Sequence, residues 1–136
     1  MNRAQGLLLA NLLLLAACVG LPTAAHRQEA ALTEYGVAIR WSEFTDALAF
    51  VDPALRQQQP QSDLERERLK QIQVTGYALK IRQAAPDGTV EQTVEISLIS
   101  KNTQVERTIT DHQVWRWDAI SKRFWLTSGL PDFTAR

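Results

Sequence analysis

Apolar residues recur at helical spacing between Glu29 and Val51. The recurring positions follow one another at intervals of four, three, four and three, and they are Val37, Trp41, Phe44, Leu48 and Val51. This spacing predicts one continuous apolar helix face. Ser42-Glu43 indicates a break into two helices, because serine is a good N-cap. Asp52-Pro53 ends the run, since the residue before proline disfavours helical backbone.

The segment after this helical run predicts a further short helix and then strands. Ser62-Asp63-Leu64-Glu65 has the pattern of a capping box that begins a mostly exposed helix. From Ile72 the apolar residues alternate with polar ones, as in strands with one buried face. Ile72 and Val74 are at even-numbered positions, whereas the apolar residues that follow are at odd-numbered positions. A bulge at Gly76 would bring both sets to one face of the sheet. The residues after that bulge are Tyr77, Leu79 and Ile81.

Three more strands follow, joined by short turns. Pro86-Asp87-Gly88 predicts a hairpin, and Lys101-Asn102 predicts the next turn. The expected inward residues are Val90, Val94, Ile96 and Leu98 on one strand and Val105, Ile109, Trp115 and Trp117 on the next. A last strand spans 123–127. Helices followed by hairpin-linked strands predict an α+β fold, with the helices packed on a four-stranded antiparallel sheet.

The N-terminal segment has a different character. Arg3 precedes the apolar stretch Gly6 to Leu15, and the sole cysteine follows in Leu15-Ala16-Ala17-Cys18. The stretch is too short to span a bilayer and favours a signal peptide; the alternative is a buried N-terminal helix. The four residues resemble the lipobox of bacterial lipoproteins.

This resemblance implies a cleaved signal peptide at 1–17, lipidation of Cys18, a tether at 18–28 and a single domain at 29–136. In enteric bacteria an aspartate after the cysteine holds lipoproteins at the inner membrane, and this chain has Val19 there. The resemblance therefore implies a lipid-anchored protein on the periplasmic side of the cell outer membrane.

Charge and composition narrow the classes of partner. Removal of Arg3 with the signal peptide leaves 14 basic and 15 acidic side chains, with no block of like charge. Nucleic-acid binding, which needs a basic stripe, is not expected, and neither is docking on anionic lipid by charge. The lipid anchor on Cys18 should be the membrane contact. The chain has two histidines and no zinc spacing, nucleophile elbow, P-loop or dinucleotide fingerprint, so we expect no metal and no cofactor.

The order of elements resembles the nuclear-transport-factor-2-like (NTF2-like, or cystatin-like) superfold. The resemblance rests on helices ending in Phe50-Val51-Asp52-Pro53, then a sheet closing on Trp115-Arg116-Trp117 and Arg123-Phe124-Trp125-Leu126. It implies a curved sheet that wraps a helix to form a cone. Some members hold ligands or active sites in that cone and others are adaptors or dimerisation modules, so the resemblance does not determine a function.

Polar residues on the third strand are the candidate site. Arg107, Asp111 and Gln113 share the parity of the apolar residues there, so they should face inward, where polar groups must be paired or functional. The full candidate pocket is Tyr77, Arg107, Asp111, Gln113, Trp115 and Trp117. It is either a ligand pocket, in which Asp111 helped by Tyr77 could act as a general base, or a set of solvated or salt-bridged residues at the open end of the sheet.

The sequence thus predicts a non-catalytic binding or adaptor module of the cell envelope; the alternative is a small isomerase- or dehydratase-type enzyme with its base in the cone. The expected partner is an envelope protein or a small apolar ligand. A homodimer through the sheet is a further expectation, because Trp125 has the opposite parity to Phe124 and Leu126 and an aromatic residue on the outer face suggests an interface. We expect His112 to be an ordinary surface histidine.

Overall fold

The computed structural model of the protein describes residues 23–134, so the expected signal peptide, Cys18 and Val19 lie outside the described residues. Four helices precede four strands. The helices are α1 (Ala24–Arg40), α2 (Phe44–Leu48), α3 (Pro53–Gln58) and α4 (Asp63–Lys70). The strands are β1 (Ile72–Ala84), β2 (Val90–Ser100), β3 (Glu106–Asp118) and β4 (Arg123–Leu126). No helix within 23–134 is long and apolar enough to cross a membrane.

The strands form one open antiparallel sheet in the order β1-β2-β3-β4, which confirms the predicted α+β class and the four-stranded antiparallel sheet. Residues of α1 and of the inner sheet face share one hydrophobic core. Its central aromatic contact joins Tyr35 of α1 to Trp115 of β3, with ring centroids 5.2 Å apart and the rings edge to face. Both side chains are fully buried.

Helix α1 begins at Ala24, five residues before the expected domain boundary. The Thr23 side chain caps it by accepting a hydrogen bond from the backbone N–H of His26 at 3.2 Å. The last residues of the expected tether are therefore helical. His26 itself is exposed, as expected for a solvated residue.

The single apolar stripe predicted for 29–51 is wrong in its first half. Val37 is 49% exposed and Trp41 69% exposed. The chain leaves the helix after Arg40 in a Schellman motif, in which Ser42 has a φ of 63° and the N–H of Glu43 donates to the carbonyl of Ala38. This reversal separates α1 from α2, so the spacing across it does not describe one helix face. The inward residues of α1 are Leu32, Tyr35, Ala38 and Ile39.

Ser42 thus lies just after the C-terminus of α1 and is not the N-cap of α2, which is Glu43. Its hydroxyl accepts a hydrogen bond from the backbone N–H of Val74 at 2.8 Å, and Arg40 donates to the carbonyl of the same residue at 3.0 Å. The N–H and the carbonyl of Val74 belong to β1, which is at one edge of the sheet. The end of α1 therefore satisfies backbone groups of that edge strand.

Strand β1 has two irregularities where one was predicted. The pairing with β2 shifts between Val74 and Gly76, as predicted, and shifts again between Leu79 and Ile81. The second shift leaves Lys80 as the extra residue and turns Ile81 to the outer face, where it is 57% exposed. Leu79 stays on the inner face, opposite Val94, yet is 47% exposed. Burial of these two side chains was therefore predicted wrongly.

The parity predicted for β2 and β3 is confirmed at most positions. Val90, Val94, Ile96, Leu98, Ile109 and Trp115 are buried. Val105 is 60% exposed because it lies outside β3, directly after Gln104, whose φ is 56°.

Local capping residues start α3 and α4. Ser62 and Glu65 form the predicted capping box of α4. Helix α3 was not predicted. Pro53, which ends the preceding run, also occupies the first turn of α3, where its missing N–H costs nothing. Asp52 caps this helix by accepting from the N–H of Ala54 at 2.7 Å.

Candidate functional site

Gln113 is the centre of a buried hydrogen-bond network on the inner face of the sheet. Its side-chain oxygen accepts from Gln92 Nε2 at 2.7 Å and from Trp115 Nε1 at 3.1 Å. Its side-chain nitrogen donates to Asp111 Oδ2 at 2.7 Å and to the Tyr77 hydroxyl oxygen at 3.1 Å. The structure thus brings together four of the six candidate residues, on β1 and β3.

Two further residues complete this network and were missed from the sequence. Gln92 is 4% exposed and accepts from Arg82 Nε at 2.9 Å. Arg82 Nη1 in turn donates to Glu29 Oε2 on α1 at 2.9 Å. Gln92 has the inward parity of Val90 and Val94, so alternation alone could have identified it. Arg82 could not be identified in this way, because it reaches the inner face through the bulge at Lys80.

The other two candidate residues have their contacts elsewhere. Arg107 is half-buried and donates from Nη2 to the backbone carbonyl of Phe133, which ties β3 to the C-terminal segment. Trp117 is half-buried, with its ring centroid 5.1 Å from that of Phe124. The guanidinium carbon of Arg27 lies 5.9 Å from the Trp117 ring centroid. The predicted six-residue pocket is therefore divided into a four-residue cluster and two separate positions.

The electrostatics of the network follow from its burial. Burial raises the pKa of Asp111 although the hydrogen bond from Gln113 opposes this shift. Burial also raises the pKa of Tyr77 to about 12. The Tyr35 hydroxyl has no hydrogen-bond partner among residues 23–134, and burial and the charge of Asp111 raise its pKa well above the usual value. Both tyrosines are therefore neutral neighbours of a buried carboxyl group.

One line of hydrogen bonds through the network runs in a single direction. Arg82 donates to Gln92, Gln92 donates to Gln113, and Gln113 donates to Asp111. Two amides thus connect a guanidinium near the surface to a carboxylate in the interior, and each amide dipole stabilises the negative end. His112 has no part in this arrangement. It is exposed on the outer face, with Nδ1 3.1 Å from the Thr93 hydroxyl.

A groove between α1 and β1 lies beside the outer end of the network. Its volume is about 310 Å³. The exposed side chains Val37, Trp41 and Leu79 line it, together with Tyr77, Arg82 and Gln92 of the network. Gly36 allows the close approach of the two elements here, since a Cβ at that position would lie 3.0 Å from Tyr77 Cε1.

A second cavity, which we call the strap pocket, lies beneath the C-terminal segment. Residues of α2, α3 and α4 line it together with the strap formed by Gly129 to Thr134, and its volume is about 320 Å³. Phe133 fixes the strap, because it is 3% exposed and its ring centroid lies 4.7 Å from that of Phe44. Asp111 is not among the lining residues of either cavity.

Comparisons with protein-family models, with curated proteins and with solved structures found no match. Within residues 23–134, no group of three or more histidine, cysteine, aspartate or glutamate side chains could hold a metal ion.

Proposed function

We propose that this protein is a lipoprotein anchored through Cys18 on the periplasmic side of the outer membrane. Its domain, with an NTF2-like fold, acts there as a non-catalytic binding or adaptor module. The anchor is supported by Leu15-Ala16-Ala17-Cys18 and by Val19 at the sorting position. The fold is supported by the element order and by the contact of Tyr35 on α1 with Trp115 on the sheet.

The observation that carries the binding role is the groove between α1 and β1. Trp41, Val37 and Leu79 are 69%, 49% and 47% exposed, and all three line it. Exposed apolar side chains grouped in one groove are typical of a site that another molecule covers. The expected partner is an envelope protein with a complementary apolar segment.

The buried network supports a structural role for Asp111. Gln113 already donates to its carboxylate, and the Gln113 amide has partners on both of its polar atoms. Such a satisfied network orders a protein interior. A general base needs an accessible atom within hydrogen-bond reach of a substrate, and neither the groove nor the strap pocket is lined by Asp111.

The alternative, an isomerase- or dehydratase-type enzyme, has one observation in its favour. Asp111 combines burial with a raised pKa and lies near two neutral tyrosines, Tyr35 and Tyr77. Perturbed carboxyl groups of this kind are more frequent at catalytic sites than elsewhere. A substrate would have to enter from the groove, past Tyr77 and Gln92.

Site-specific photo-cross-linking in living cells tests the binding role. We expect Val37→p-benzoylphenylalanine and Leu79→p-benzoylphenylalanine to give one discrete adduct, because both positions line the groove. The same amino acid at Glu67, on the exposed face of α4, is the matched control and should give none. The adduct should persist with Asp111→Asn and be lost with Trp41→Ser. Equal labelling at Glu67 and in the groove would contradict the proposal.

The cross-linking experiment also tests the proposed homodimer. Trp125 is half-buried on the outer sheet face, with the Arg123 guanidinium carbon 4.5 Å from its ring centroid. Thr110 is exposed on the same face. A cross-linker at Thr110 should give a product of twice the mass of the chain if two copies associate through this face. A product at the mass of the single chain alone would exclude this dimer.

A further inference from the structure

The strap pocket has an apolar body of limited size. Its apolar lining comes from three short helices, the start of β1 and the strap, and consists of Leu48, Val51, Leu55, Leu69, Ile72, Leu130, Pro131 and Phe133. The volume of about 320 Å³ is at the lower end of the range for small-molecule sites. A short aliphatic chain fits this space.

The polar lining of the strap pocket has an unused cationic donor. Arg56 Nε is buried without a hydrogen-bond partner among the described residues, and Arg68 also lines the pocket. The carboxylates of the lining are already engaged. Glu65 accepts from the N–H and the hydroxyl of Ser62, and Asp132 accepts from the N–H and the hydroxyl of Thr134. The positive charges of Arg56 and Arg68 in the lining therefore favour an anionic ligand in this pocket.

We propose that the strap pocket binds an aliphatic monocarboxylate, with its chain among the leucines and its carboxylate beside the guanidinium group of Arg56. The planar guanidinium edge matches a carboxylate with two parallel hydrogen bonds. A dianionic phosphate fits less well, because Glu65 and Asp132 line the same pocket. This site does not overlap the groove, so its failure would leave the adaptor role untouched.

Carbon-13 NMR with carboxyl-labelled decanoate tests this proposal on the full-length protein in lipid nanodiscs. A carboxylate beside Arg56 stays ionised as the pH falls, whereas one dissolved in the bilayer has its pKa raised by desolvation. We expect a saturable resonance, one per protein chain, whose shift is unchanged between pH 8 and pH 5. The resonance of decanoate in protein-free nanodiscs, the reference, should move over that range. Labelled decanol, which lacks the charge, should give no saturable signal.

Matched variants identify the residue responsible. Arg56→Gln should weaken the saturable binding at least tenfold, while Arg116→Gln, an exposed arginine on the outer sheet face, should leave it unchanged. Leu130→Trp, which fills the pocket without touching the charge, should also abolish the signal. Unchanged binding in both Arg56→Gln and Leu130→Trp, or only non-saturable partitioning in the wild type, would overturn the proposal. Thermal unfolding of each variant shows that it is folded.

Discussion

Arg82 donates a hydrogen bond from Nε to the side-chain oxygen of Gln92 at 2.9 Å, on a sheet face that strict alternation assigns to Ile81. This contact begins the line of donors that ends at Asp111. Arg82 and Gln92 also line the groove between α1 and β1, so the buried network extends to that groove. The pair Arg82 and Gln92 therefore connects the buried hydrogen-bond network to the proposed docking surface.

Loss of the central amide should be costly. Gln113→Leu keeps the volume and leaves Gln92, Asp111 and the Trp115 ring nitrogen without their partner. Each buried polar group left unpaired costs about 1–3 kcal/mol, so we expect a loss of about 3 kcal/mol or more in the free energy of unfolding. Urea unfolding followed by circular dichroism measures it. Thr110→Val on the exposed face is the control, and a loss below about 1 kcal/mol for Gln113→Leu would show that the network is not structural.

The tryptophans should differ in their contribution to stability. Trp115 is fully buried against Tyr35, so Trp115→Ala should cost about 3–5 kcal/mol. Trp117 is half-buried, and Trp117→Ala should cost clearly less. Trp41→Ala should change stability by no more than about 0.5 kcal/mol, because its side chain is largely exposed. Urea unfolding of the three variants checks this order, and equal losses for Trp115 and Trp117 would contradict it.

Gly36 should respond to alanine in a way that depends on Tyr77. Alanine favours the helix by about 1 kcal/mol, but its methyl group would lie 3.0 Å from the Tyr77 ring. We expect Gly36→Ala to destabilise the wild type, since overpacking costs about 1–3 kcal/mol. In a Tyr77→Leu background the same change should become stabilising. A double-mutant cycle measures the reversal, and the same sign in both backgrounds would show that the close contact has no energetic weight.

Asp111 should make stability depend on pH in a defined direction. Burial raises the pKa of its carboxyl group in the folded state, so between the unfolded and folded pKa values the folded protein binds more protons. Stability is therefore lost as the pH rises through this window. Relative to Asp111→Asn, the wild type should gain stability as the pH falls from 7 towards 4. Parallel urea titrations of the two proteins measure the difference; a constant difference, or one of opposite sign, would refute the expectation.

The anchor is tested by labelling and fractionation. Cys18→Ala should abolish incorporation of a clickable palmitate analogue, because Cys18 is the sole cysteine and the proposed lipidation site. In sucrose gradients the wild type should fractionate with the outer membrane and the variant should not. Continued labelling of Cys18→Ala, or recovery of the wild type with the inner membrane, would refute the corresponding part of the proposal.

The elements that the sequence predicted correctly are those determined by neighbouring residues. Alternation in β2 and β3 placed Asp111 and Gln113 inward, and the capping box of Ser62 and Glu65 started α4. These patterns are local, because a strand with one buried face must alternate and an N-cap acts within one turn.

The features that the sequence did not predict depend on distant contacts. The segment 29–51 contains two sets of apolar residues at helical spacing, one that includes Val37 and Trp41 and one that includes Leu32 and Tyr35. Ser42 has left-handed backbone and accepts a hydrogen bond from Val74 of β1, so α1 ends there and only the second set faces the core. The bulge at Lys80 has no glycine or proline to mark it, so Arg82 could not be assigned to the site. The strap pocket joins Arg56 to a segment about seventy residues later in the chain.

The bulges in β1 have a consequence for how this chain can vary in length. Strand β1 has 13 residues and its partner β2 has 11, and the two register shifts account for the difference. Lys80 has no partner residue in the register with β2, so removing it would leave Leu79 opposite Val94 and Arg82 opposite Gln92. An alignment with related chains should therefore tolerate a one-residue gap at position 80. A one-residue gap at 83 or 84 would instead shift β1 against the hairpin turn and place Arg82 opposite Glu91 in place of Gln92.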